Sequence, residues 1–261
     1  MKKVMLVFIF VFLSICLVSC TSQGNDSETK DHDNNDNIVD LPSGGEEDNL
    51  TDVPEVFSLE GKKMVFLGSS VTYGSASGGW SMCEYFEEYH NCEVIKLAVP
   101  GTTLVYNNED SYVARLVNEI FKIEDCDIFI CQLSTNDATQ NKPLGAISDS
   151  YDIKDFNIEE IIGAMEYIIA LVQDVLDCPV FFYTGTQFAS SNYQEMINAL
   201  YQLKTKWHVG IIDLWNDEEM NTTPTEKIRE FMADGIHPTR KGYEFWWGPK
   251  FEEYILKFFN N

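Results

Sequence analysis

From residue 61 onward, apolar runs of strand length alternate with stretches in which apolar residues return every three or four positions. The runs at 63–67, 93–98, 127–133, 179–183 and 210–214 read as strands, and the stretches at 80–89, 111–123, 158–176, 193–207 and 241–259 as helices. Within 111–123, Val113, Leu116, Val117, Ile120 and Phe121 fall on one helical face. The strand runs are close to continuously apolar, so both faces of each strand are expected to be covered. Strands alternating with helices predict an α/β fold whose mostly parallel sheet lies between helical layers. Ligands bind such a sheet outside the C-terminal ends of its strands. The polar punctuation falls there, at Ser69-Ser70, Pro100-Gly101, Ser134-Thr135-Asn136-Asp137 and Thr184-Gly185-Thr186.

The N-terminal stretch has a different character. Met1-Lys2-Lys3 and the apolar run 4–18 have the charged and hydrophobic parts of a secretory signal. The run is shorter than the roughly 20 residues that a membrane-spanning helix needs. It closes on Leu17-Val18-Ser19-Cys20, which resembles the lipobox of bacterial lipoproteins. That resemblance implies that 1–19 is a signal peptide, that the thiol of Cys20 is lipidated, and that the protein is exported. It would then be anchored to a bacterial membrane, at the cell surface or in the periplasm, by two acyl chains that bury deeply enough for a stable hold. Residues 20–57 are mostly Asp, Asn, Glu, Ser and Gly. They bury too little to offset the entropy of ordering and are expected to be a disordered acidic tether. The remainder, 58–261, reads as one domain, since a chain of 261 residues with 44% hydrophobic content supports one sizeable core.

Charge and cysteine usage narrow the partners. A formal net charge of −24 argues against nucleic acid, because phosphate binding needs clustered Lys and Arg. Of the 7 cysteines, Cys16 would leave with the signal and Cys20 would carry lipid. The odd remainder, without Cys-x-x-Cys spacing, is neither a disulfide framework nor a zinc site, and buried thiols are the expected outcome.

The chemistry starts at Phe66-Leu67-Gly68-Ser69-Ser70-Val71-Thr72-Tyr73-Gly74, where an apolar strand stops at a glycine and exposes two serines before a Gly/Ser-rich bend. Ser70 is the candidate nucleophile, and a serine hydroxyl needs a neighbouring base. Four histidines are available. His32 lies in the acidic tether, His90 follows a polar helix and His208 precedes a strand, whereas His237 stands in Asp234-Gly235-Ile236-His237-Pro238. Pro238 favours an extended backbone at His237 and can begin the next helix at its first turn. Asp234 can fold back across Gly235 to accept the Nδ1 proton, leaving Nε2 for Ser70. Candidate oxyanion donors are the backbone N–H groups of Ser70 and Gly101 and the side-chain amide of Asn136. Taken singly, Gly101 reads as a turn residue and Asn136-Asp137 as a loop or helix cap.

Taken together and in order, Gly68-Ser69-Ser70-Val71-Thr72, Gly101, Ser134-Thr135-Asn136-Asp137 and Asp234-Gly235-Ile236-His237-Pro238 resemble the blocks of the SGNH hydrolases, the GDSL-like esterases and lipases. The similarity spans about 62–259. It implies a three-layer α/β/α sandwich with a flavodoxin-like sheet, a Ser70/His237/Asp234 triad, an oxyanion hole of Ser70, Gly101 and Asn136, and no metal or organic cofactor. Two positions depart from the commonest pattern. Ser69 stands for the aspartate of Gly-Asp-Ser, and Ser134 for the glycine of Gly-x-Asn-Asp.

The expected activity is therefore hydrolysis of carboxylic esters. Surface-anchored members of the family often act on acetylated glycans, so the resemblance favours carbohydrate deacetylation, with a small-molecule or glycan ester as substrate. Lipid or thioester cleavage is the alternative within the class. The rival from another class is a non-catalytic surface lipoprotein that binds a glycan or partner. Small residues at 74–79 suit a shallow, open site, and Trp80 offers a stacking platform beside the nucleophile. Packing in the core or at the rim is the plainer reading of Trp80, Trp246 and Trp247.

Overall fold

The computed structural model describes residues 56–260. The signal segment, Cys20, His32 and nearly all of the acidic stretch lie outside the described residues. Packing is already established at Phe57, whose ring stacks on Phe259 with centroids 3.8 Å apart.

Five strands, β1 (Lys63–Gly68), β2 (Glu93–Ala98), β3 (Ile128–Gln132), β4 (Val180–Tyr183) and β5 (Gly210–Ile212), form one sheet in the order β2-β1-β3-β4-β5. Every pairing is parallel. Helices occupy both faces, as the continuous apolar runs require. Val65, Leu67, Phe129 and Phe182 point to one face and pack against α3 (Tyr112–Glu119), α5 (Ile161–Val175) and α6 (Ser191–Trp207). Their neighbours Met64, Phe66, Ile130 and Phe181 point to the other, against α2 (Met82–His90) and α10 (Gly248–Phe259). The expected three-layer α/β/α architecture is the observed one.

Helix ends follow from local chemistry. Ser81 caps α2 through a capping box with Glu84, so Trp80 and Ser81, expected inside the helix, lie before it. The helix expected over 241–259 starts at Arg240, with Thr239 as its cap, and runs through α9 (Arg240–Gly242) and a π-helical turn at Tyr243–Trp247 before α10. Pro249 accounts for the π turn, because a proline lacks an N–H and its ring crowds the carbonyl four residues back. Pro238 therefore precedes the cap and does not open the helix, contrary to expectation. The one-turn helices α1 (Ser70–Tyr73), α4 (Thr135–Thr139) and α7 (Glu218–Asn221), and α8 (Thr225–Phe231), were not legible as helices. They are too short for periodicity to register.

Cys83, Cys92, Cys126, Cys131 and Cys178 are all buried free thiols. Burial pushes the Cys83 thiol up to about 12, which keeps it in the unreactive form.

Candidate active site

β1 delivers Ser69 and Ser70 to the C-terminal edge of the sheet. Only glycine fits at Gly68, where a Cβ would stand 1.7 Å from Thr72 Oγ1. Ser70 is the first residue of α1, a single turn closed by Gly74 in the left-handed region at φ 84°. Three long side chains hold that turn from below. Gln132, the last residue of β3, presents Oε1 to the N–H of Ser69 at 2.9 Å. The Tyr183 hydroxyl lies 2.6 Å from Thr72 Oγ1, and Tyr243 donates to the Val71 carbonyl at 2.7 Å.

The base arrives on a small hairpin between α8 and α9. Met232 and Pro238 form an antiparallel bridge, with Ala233 N–H donating to the His237 carbonyl at 2.9 Å and Thr239 N–H to Phe231 at 2.8 Å. Inside it, Asp234 Oδ1 accepts the N–H groups of Ile236 and His237 at 2.7 and 2.8 Å. Its Oδ2 lies 2.8 Å from His237 Nδ1, and His237 Nε2 lies 2.8 Å from Ser70 Oγ. Burial alone would raise the Asp234 carboxyl, but the two backbone donors and the imidazole hold it below its ordinary value. The ionised carboxylate can only accept, so Nδ1 carries the ring proton and Nε2 is left to accept the serine hydroxyl. The fold thus unites the three residues singled out from sequence, across 167 positions for the Ser70–His237 contact.

The oxyanion candidates sit on the two neighbouring loops. β2 pairs with β1 through Gly68 and Ala98, so the loop that follows leaves alongside Ser69-Ser70. On it, Gly101 adopts φ 81°, a conformation that glycine takes without strain. Neither Ser70 nor Gly101 donates its backbone N–H to any described residue. Asn136, in α4, spends one amide hydrogen on the Thr102 carbonyl at 2.8 Å and has a second to offer. Ser134 caps this short helix, its hydroxyl accepting the Asp137 N–H at 3.2 Å.

Two further residues tie these loops together; Arg115 was missed from sequence, and Asp137 was read only as part of a loop or helix cap. Arg115 of α3 donates to the Gly68 carbonyl at 2.6 Å and to Thr102 Oγ1 at 3.0 Å, which links the nucleophile turn to the Gly101 loop. Asp137, fully buried, accepts the N–H groups of Leu104 and Val105 at 2.7 and 3.2 Å. Burial pushes its carboxyl up, and those hydrogen bonds offset the push only in part. Arg115 carried a weak signal as a charge beside the apolar face of a helix, and Gln132 a clearer one as the single amide in an apolar strand.

Other expected features lie elsewhere. Trp80 is buried, its indole donating to Glu88 and the Arg240 guanidinium resting 4.6 Å from the ring centre, so it presents no platform to a substrate. Trp247 is core, and Trp246 stacks on Phe231 at the rim. His90 contacts Glu252 at 2.8 Å and His208 ends α6, both away from Ser70. No cluster of His, Cys, Asp or Glu suited to a metal occurs among the described residues.

The site is open. The His237 side chain is 25% and that of Asp234 57% exposed. Beside them lies a cavity of about 200 Å³ lined by Thr186, Gln187, Met232, Gly235 and Trp246.

Residues 66–245 match the model of the GDSL-like lipase/acylhydrolase family. A comparison with curated proteins finds no match by sequence. Among solved structures, a protein from Lactobacillus plantarum superposes with a TM-score of 0.63 at 17% identity, over 75% of this chain and 97% of its own. A Bacteroides ovatus protein described as a GDSL-like lipase gives 0.55 at 16% identity, over 75% and 98%. A carbohydrate acetylesterase family member from Sinorhizobium meliloti gives 0.52 at 14%, over 77% and 100%. At such identities the superpositions establish the shared fold, while the family match covers most of the sequence. The chain belongs to the GDSL-like lipase/acylhydrolase family and is an ester hydrolase.

Proposed function

We propose that this protein is a serine esterase that removes small acyl groups, acetyl above all, from carbohydrate at the cell surface, with Ser70, His237 and Asp234 as its triad. The observation that carries the reading is the unbroken chain of contacts from Asp234 Oδ2 through the imidazole to Ser70 Oγ, each 2.8 Å long.

In this reading, Ser70 Oγ gives its proton to His237 Nε2 as it bonds to the ester carbonyl carbon, and the carbonyl π pair moves to oxygen. The N–H groups of Ser70 and Gly101 and the Asn136 amide receive that oxyanion. Collapse expels the alcohol, which takes the proton from the imidazolium. Water then repeats the cycle on the acyl-enzyme, releasing the acid and restoring Ser70. Asp234 stays ionised throughout and fixes the imidazole tautomer.

Support for a small acyl group comes from the open rim of the site, where His237 and Asp234 remain partly exposed. The Sinorhizobium protein shares the fold and is a carbohydrate acetylesterase family member. Placement at the surface rests on the signal segment and on lipidation of Cys20, with residues 20–57 as the tether. The test is a chain-length series of p-nitrophenyl esters together with acetate release from acetylated xylan. The expected result is that acetyl esters and acetylated xylan turn over fastest and that Ser70→Ala abolishes both activities. Rates that rise towards long acyl chains contradict the acetyl reading, and parental rates in Ser70→Ala contradict the triad.

A further inference from the structure

α1 begins without a cap of its own. Ser69 holds the N-cap position at φ −117° and ψ −135°, yet its side chain makes no capping hydrogen bond and its hydroxyl instead donates to Gln132 Oε1 at 3.4 Å. A capping box would satisfy two donors here, the N–H of the cap residue and that of the third helical residue, Thr72. Both go to one atom on another strand. Gln132 Oε1 accepts Ser69 N–H at 2.9 Å and Thr72 N–H at 3.3 Å, with the Thr72 hydroxyl also donating at 2.9 Å. α2 makes the contrast within the same molecule, since Ser81 and Glu84 build their capping box locally.

We propose that Gln132 is a positioning residue for acyl transfer: its amide oxygen caps the nucleophile turn from β3 and so sets the direction of the Ser70 hydroxyl. Ser70 and Val71 are the two residues between the N–H groups that Gln132 gathers. Gln132 itself is only 1% exposed and held by β-pairing opposite Tyr183, so its oxygen has little freedom to drift. A Cβ at Gly68 would come within 2.8 Å of the same oxygen, which shows how closely the turn is drawn down on it. The side-chain nitrogen has no partner among the described residues, so the recorded work of this amide is done by its oxygen. The arrangement also accounts for the tolerance of serine at position 69. Aspartate, the residue of the commonest family pattern, can accept the Thr72 N–H itself, and a second-strand acceptor removes that need.

This inference rests on Ser70 being the nucleophile, so adduct formation at Ser70 by a fluorophosphonate is measured first in the parent protein. No adduct there defeats the nucleophile assignment and with it this proposal. Given the adduct, kcat, KM and thermal midpoint are compared for Gln132→Leu, Gln132→Glu and the double variant Ser69→Asp/Gln132→Leu. A displacement of about 1 Å at the reacting atom costs on the order of 100-fold. Gln132→Leu is therefore expected to lose roughly 10- to 100-fold in kcat with KM within about twofold. Gln132→Glu, which keeps an acceptor oxygen, and the double variant, which restores a local cap, should each recover most of that loss. A folded Gln132→Leu with parental kcat overturns the proposal, as does a loss that neither compensating variant recovers. If Gln132→Leu does not fold, Gln132→Glu decides, and a tenfold fall in its kcat refutes the role of the oxygen.

Discussion

Asp234→Asn is the substitution that most sharply separates an orienting carboxylate from a merely nearby one. Asp234 Oδ1 serves two backbone donors, at 2.7 and 2.8 Å, while Oδ2 faces His237 Nδ1 at 2.8 Å. Asparagine has one acceptor oxygen. If that oxygen keeps the backbone N–H groups of Ile236 and His237, the new NH₂ faces the ring. Nδ1 must then be the unprotonated nitrogen, and the proton moves to Nε2, where Ser70 needs a base. The opposite flip keeps the productive tautomer but turns the NH₂ onto two N–H donors. Two hydrogen bonds are then lost, at about 0.5–1.5 kcal/mol each, so the unproductive arrangement prevails by roughly 1–3 kcal/mol before any loss of imidazolium stabilisation. In the serine protease triad the same change costs about 10⁴ in kcat. Asp234 is 57% exposed, and water can supply part of what the carboxylate gave. We expect a fall in kcat of roughly 10²- to 10⁴-fold on p-nitrophenyl acetate, with KM changed by less than about threefold. Steady-state kinetics at pH 7.5 with a parallel thermal melt make the measurement. A folded variant within threefold of the parental rate would refute the role of Asp234.

Other expectations follow from the same geometry. Asn136→Ala removes a side-chain oxyanion donor and should lower kcat on the order of 10²- to 10³-fold, read from kcat and KM on the same ester; an unchanged kcat takes Asn136 out of the hole. Arg115→Met cuts both the tie to the Gly68 carbonyl and that to Thr102, so kcat should fall at least about tenfold through misplacement of the Gly101 loop. A parental kcat in a folded Arg115→Met protein would show that the loop needs no such tie. Because Asp234 titrates below its ordinary value, its stabilising contribution is present above the unfolded value of 3.8 and is lost as pH falls through the lower folded one. The stability gap between the parent and Asp234→Asn, taken from urea melts, should accordingly narrow as the pH is lowered from 4 towards 2.5, and a gap that widens contradicts the shift.

The inner strands were legible because they are apolar on both sides, as in Met64-Val65-Phe66-Leu67, whereas the edge strand β2 leaves Glu93 and Ile95 exposed. The three triad residues were legible for a different reason. Asp-Gly-Ile-His-Pro is a local device whose loop geometry is set largely within five residues, and it needs only one partner from afar. Gln132 and Arg115 escaped because their roles exist only in the folded arrangement. An amide at the end of an apolar strand and a guanidinium on a helix say nothing about which loop they will hold until β3 and α3 are packed against β1. Trp80 follows the plainer of its two readings, since it lies just before α2, buried under Arg240. The turn of α1 was not legible as a helix, since four residues carry too little periodicity to mark one.

The account stands on Ser70 as the atom that bonds to the acyl group under the control of His237. Incubating the protein with a fluorophosphonate and mapping the adduct by peptide mass spectrometry tests this directly. A single phosphonyl group on Ser70, formed at least about 100-fold more slowly in His237→Ala, is the predicted result. Modification at another residue, or a labelling rate indifferent to His237, would contradict it.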